Sequence, residues 1–124
     1  MQPLKTPRQL VQEATVAANL AGDEWMEKAK PKYVPVNAIS GYRYPPMLDL
    51  CGNAHVRFTD RRTKNYKDFV KAELVRASGN GVVEINHKYQ FRQEHGLLLA
   101  CAKAALAVME ANGISNLRIW DWID

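Results

Sequence analysis

Between Leu97 and Met109 a single charged side chain, Lys103, interrupts an otherwise apolar run, and Gly113 follows just beyond it. Glycine is the residue that most readily takes the left-handed conformation closing a helix, so the pattern predicts a helix over residues 92–112. Such a helix has almost no polar face and forms only if other elements cover most of its circumference. The rest of the chain must be arranged around it. With 124 residues, enough surface can be buried for one hydrophobic core, and the expectation is a single domain over residues 1–124. Hydrophobic and charged fractions of 47% and 24% lie near globular averages, which excludes disordered and fibrous classes.

Thr6, Pro7 and Gln9 form a helix-start signature: a hydroxyl cap, proline at the first helical position and a Gln that closes a capping box. Leu10, Ala14, Ala17, Ala18, Ala21 and Trp25 recur at helical spacing, predicting an amphipathic helix over residues 6–30 with a break at Gly22-Asp23 and an end at Pro31. Residues 31–53 are rich in Pro and Tyr and read as irregular or extended backbone packed by aromatics. Residues 54–89 read as antiparallel strands. Val56 and Phe58 alternate with His55, Arg57 and Thr59, and Ser78-Gly79-Asn80-Gly81 joins the segment from Phe69 to Ala77 with that from Val82 to Tyr89 as a hairpin turn would. Residues 117–123 read as a last strand with Trp120 and Trp122 on one face. The expected fold class is α+β: an antiparallel sheet of three to four strands packed on the buried C-terminal helix, with the amphipathic N-terminal helix, in the order α-β-β-β-α-β.

The amino terminus lacks a signal-peptide pattern, and no apolar run approaches the roughly 20 residues that span a bilayer. The expected compartment is the cytoplasm, with no membrane partner. Cys51 and Cys101 are too few for a disulfide framework. Cys51, His55 and His87 carry zinc-type ligand atoms, but at spacings that scattered single residues also produce. Either cysteine could join a histidine and a carboxylate as a nucleophilic trio, an arrangement any chain of this size offers by chance. No phosphate loop, serine elbow or HExxH pattern occurs, and no cofactor is expected. Arg92, Glu94 and His95 at the start of the apolar helix could hold an anion there or simply cap it.

Charge is the most localised signal. The net charge is +4, and the stretch from His55 to Arg76, with seven basic residues against three acidic ones, accounts for all of it. Tyr66 lies among Arg61, Arg62, Lys64 and Lys67, with Arg57 and Lys71 to either side, in what reads as a basic hairpin. Such a segment grips nucleic-acid phosphates, meets an acidic protein surface, or is solvated. Three fragments, from Thr6 to Glu13, from His55 to Thr59 and around Ala102 to Leu106, resemble the first helix, second strand and last helix of double-stranded RNA-binding domains, whose order is helix, three strands, helix. The paired lysines that open that family's last helix are absent, Gln93 and Glu94 standing in that region, and the strand from Leu117 is extra.

These features point first to a small, basic, non-enzymatic accessory protein that binds nucleic acid or a nucleic-acid-processing complex. The alternative is a protein-binding inhibitor or adaptor of an intracellular, mobile-element type, using Tyr33, Tyr42, Tyr44 and Met47 as anchors. A second alternative is a small metal-dependent hydrolase built on Cys51, His55 and His87.

Overall fold

A computed structural model describes residues 5–29, 36–37, 42–43, 50–76 and 80–124. Helix α1 spans Pro7–Lys28 and begins with the capping box: Thr6 Oγ1 accepts from the Gln9 amide at 3.2 Å, and Gln9 Oε1 accepts from the Thr6 amide at 2.9 Å. The helix does not break at Gly22. That glycine sits where α1 meets the chain around Tyr89, and a Cβ there would lie 2.3 Å from the Tyr89 ring and 3.0 Å from Cys101 Sγ. Its missing side chain is what lets the elements approach. Leu10, Val11, Ala14, Ala18 and Gly22 form the buried stripe.

That stripe packs on the apolar helix α3, His95–Ala111, in the most extensive contact of the fold. On α3 the row Leu97, Cys101, Ala105 and Met109, flanked by Leu98 and Ala102, is buried. The helix closes in a Schellman turn: the Ile114 amide donates to Met109 O, the Gly113 amide to Glu110 O, and Gly113 has φ +90°.

The second cover for α3 is an antiparallel pair, β3 (Gly52–Phe58) and β4 (Leu117–Ile123). Its register is Ala54 to Asp121, Val56 to Ile119 and Phe58 to Leu117 on one face, and Asn53 to Trp122, His55 to Trp120 and Arg57 to Arg118 on the other. The first face supplies the buried Ala54, Val56, Phe58 and Leu117 to the core. Strands β1 (Val36–Asn37) and β2 (Tyr42–Arg43) form a separate two-residue antiparallel ladder.

Among the described residues the expected sheet of three to four strands is not formed, and each sheet has two strands. In place of the basic hairpin, residues Lys64–Lys71 form helix α2, capped by Thr63 Oγ1, which accepts from the Tyr66 amide. The cause is packing at helical spacing: Phe69 and Tyr66 meet Phe58 edge-on at 5.1 and 5.4 Å between ring centroids. The segment after Gly81 meets β3 briefly, Val82 bridging Arg57, with the Phe58 amide donating to Gly81 O and the Val83 amide to Val56 O. It also pairs antiparallel with residues 74–76, as the hairpin reading expects, through the Val83–Val75 bridge and the bonds from Arg76 N to Val82 O and from Glu84 N to Leu74 O. It then leaves, because Lys88 and Tyr89 are held by α1: the Lys88 amide donates to Asn19 Oδ1 at 2.8 Å, and the Tyr89 hydroxyl to Asp23 Oδ1 at 2.5 Å. Farther along β3 the edge is taken by Gln93 and Glu94, with the Gly52 amide donating to Gln93 O at 2.8 Å. A helix directly after β3 also departs from the helix-strand-strand-strand-helix order of double-stranded RNA-binding domains. No helix among the described residues is long and apolar enough to cross a membrane.

Candidate nucleic-acid interface

Helix α2 is short, so its position depends on its ends. Thr63 does more than cap it. Its hydroxyl donates to Asp60 O, and Asn116 Nδ2 donates to both Thr63 Oγ1 and Asp60 O, which ties the start of α2 to the entry of β4. Phe69 is buried, while Arg61, Arg62, Lys64, Lys67, Val70 and Lys71 are exposed. Positions 64, 67 and 71 share one face at helical spacing, and position 61 precedes them on the approach.

The basic residues differ in their partners. Arg62 is answered by Asp60, whose carboxylate accepts from the Arg62 side chain and amide, and the pair lowers the pKa of Asp60 and raises that of Arg62. Among the described residues, Arg61, Lys64, Lys67 and Lys71 have no ion pair or side-chain hydrogen bond. Lys64 moreover occupies the first turn of α2, where the helix dipole is positive and no acidic residue balances it.

A second basic surface is not evident in the sequence. On the face of the β3–β4 pair away from α3, Arg57 lies directly opposite Arg118, and Trp120 and Trp122 lie opposite His55 and Asn53. The Arg57 guanidinium sits 5.4 Å from the Trp120 ring centroid, the two indoles are 5.2 Å apart, and the His55 ring is 5.6 Å from Trp122. The paired positions of this face include no carboxylate. The signal that could have found it is the shared parity of Trp120, Trp122 and Arg118, but their meeting with Arg57 requires a strand register that local pattern does not contain.

The other candidates disperse. His55 and His87 do approach one another, lining with Arg76, Asn53 and Gln90 a gap beside β3 with about 30 Å³ of free volume, room for one or two waters. Burial lowers the pKa of His55 to about 4, with Arg76 and then His87 adding repulsion, and burial lowers that of His87. The Tyr89 amide donates to His87 Nδ1 at 3.2 Å. Cys51 does not join them: on the strand it lies about 13 Å from His55 by strand rise. No group of three His, Cys, Asp or Glu side chains among the described residues is placed to hold a metal. Burial, with a smaller contribution from Asp23, pushes the Cys101 thiol up to about 11, so it stays protonated and is a poor nucleophile at neutral pH. At the start of α3 the Glu94 carboxylate is buried and paired with Arg92, and His95 Nε2 contacts Asp121 Oδ2 at 2.8 Å, so this terminus is answered from within the chain. Tyr33, Tyr44 and Met47 lie outside the described residues, and of Tyr42 only the backbone, in β2, is described.

Comparison with protein-family models, with curated proteins and with solved structures finds no match to this chain.

Proposed function

We propose that this protein is a non-enzymatic accessory module that binds nucleic acid, in the cytoplasm, through the exposed face of α2 and the turn leading into it. The observation that carries the reading is the unpaired set Arg61, Lys64, Lys67 and Lys71, beside an Arg62 that has its own carboxylate. Three lysines on one short helix, with Arg61 just before it, repel one another and, in the case of Lys64, oppose the helix dipole. Phosphates at that face would relieve both costs. Because each neutralised phosphate releases counterions, affinity should fall linearly with salt concentration on a log–log scale.

The test is a salt series by fluorescence anisotropy on a mixed-sequence DNA duplex of about 20 base pairs. Replacing Arg61, Lys64 and Lys67 by Gln together should weaken binding and flatten the log–log slope by about two to three units, roughly one for each phosphate that is no longer neutralised. A slope unchanged by the triple substitution, or no binding at low salt of either this duplex or a single strand of equal length, overturns the reading.

A further inference from the structure

We infer that the outer face of β3 and β4 is a stacking platform for the unpaired bases of a single-stranded nucleic acid, with Trp120 and Trp122 as the base-contacting rings. This inference rests on the nucleic-acid reading above and names the form of nucleic acid the protein takes. Among the described residues α3 covers the opposite side of the pair, against Ala54, Val56, Phe58 and Leu117, while on this side Arg118 and Trp122 are exposed and Trp120 is partly exposed. Within the strand pair, the outer positions are Asn53, His55 and Arg57 facing Trp122, Trp120 and Arg118. Two cations and three aromatic rings with no carboxylate are complementary to phosphates and bases together. The His55 ring reaches both indoles, at 6.3 and 5.6 Å, and extends the apolar surface across to β3.

Spacing selects single strands over duplex. The indole centroids are 5.2 Å apart and the rings are inclined at 52° to one another, so two bases lying one on each ring cannot keep the parallel stacking of a duplex, at about 3.4 Å. Bases that engage both Trp120 and Trp122 must therefore be unstacked from one another, and a duplex does not offer its base faces at all. Arg57 and Arg118 stand at one end of the platform, and the turn that follows Phe58 carries Arg61 toward α2. A strand whose bases lie on the indoles would run its phosphates past Arg57 and Arg118. Arg57 also lies over the Trp120 ring, a contact that helps fix the indole in place.

The experiment compares a thymidine oligomer of about 20 nucleotides with a duplex of equal length. It uses the full chain with Trp25→Phe, so that emission reports Trp120 and Trp122 alone. Saturable quenching by the single strand, and tighter binding of the single strand than of the duplex, are expected. Trp120→Ala with Trp122→Ala should weaken single-strand binding about 10- to 100-fold and leave duplex affinity within about two-fold. Arg118→Gln, an exposed substitution, should weaken single-strand binding in the same direction and needs no change to the rings. Absence of quenching at saturation, or equal effects of the tryptophan and arginine substitutions on both probes, overturns the platform while leaving the α2 reading standing. Failure of the unsubstituted chain to bind either probe overturns both.

Discussion

His55 gives the most direct physical test of how the sheet edge is built. Its ring is half-buried between the indoles and the gap lined by Arg76 and His87, and its pKa is lowered from 6.5 to about 4. A histidine held neutral in the folded state but free to protonate when unfolded makes stability fall as pH falls, because the unfolded chain then binds the extra proton. The loss begins near the unfolded value of 6.5 and is complete near the folded value of about 4. Between pH 7.5 and 5 the full shift corresponds to about 2 kcal/mol, and partial solvent screening of a half-buried ring brings the expected loss nearer 1 kcal/mol. The carboxylates whose pKa values are held low act below this window: Asp23 through Lys88 and Tyr89, and Glu94 through Arg92. His87, lowered by its own burial, adds a loss of the same sign. Urea unfolding followed by circular dichroism at pH 7.5 and 5 should show the midpoint of the unsubstituted chain dropping by about 0.5–1 M. His55→Gln should show a smaller drop, leaving the His87 share. Parallel pH responses of the two proteins across this window would refute the burial and charge environment assigned to His55.

Two stability predictions follow from backbone geometry. At Gly52 a Cβ would lie 2.3 Å from Trp122 O and 2.9 Å from His95 Cβ, backbone and helix that cannot swing aside, so Gly52→Ala should cost about 2 kcal/mol or more in a urea titration; a change under about 0.5 kcal/mol would contradict the β3–β4 register at that end. Glu73 has φ 60° where α2 closes, its amide donating to Val70 O and the Leu74 amide to Phe69 O in a Schellman turn; Glu73→Gly should raise the thermal midpoint, by up to about 1 kcal/mol in stability, and a lowered midpoint would argue against that turn.

Local signals are legible wherever the structure is locally determined. The Thr6 and Gln9 box, the apolar row of α3 and the glycine that closes it each involve residues within a few positions of one another, and each forms. The α2 region is misleading although its signal is also local. Thr63 as cap, with Tyr66, Phe69 and Val70 at helical spacing, is present in the sequence, but the hairpin reading carries its first strand back to Phe69, whereas only residues 74–76 pair with residues 82–84. The localised charge falls on a helix face and not on the expected hairpin. What no local pattern holds is the joining of Arg57 and His55 to Arg118 and Trp120, which depends on a register between strands separated by α2 and α3. The departure of the chain after Val83 is equally invisible, since it is caused by Asn19 and Asp23 on α1.

This chain departs from local preference in three places. Arg57 faces Arg118 directly across the strand pair, Lys64 stands at the positive end of α2, and Glu73 holds a conformation that favours glycine. Like charges opposed in a sheet and a cation at a helix amino terminus each cost a few tenths of a kcal/mol to about 1 kcal/mol. Elsewhere in the described residues six cations have acidic partners, Arg62 with Asp60, Arg76 with Glu84, Lys88 with Asp23, Arg92 with Glu94, Lys28 with Glu24 and Lys5 with Glu13, while Lys103 and Arg8 have none. A chain that pairs its charges this often and leaves the cations of one helix face and one sheet face without acidic partners retains repulsion that an external anion would remove. Binding should therefore stabilise the protein beyond what contact area alone supplies. That gain should shrink with added salt, in step with the affinity itself.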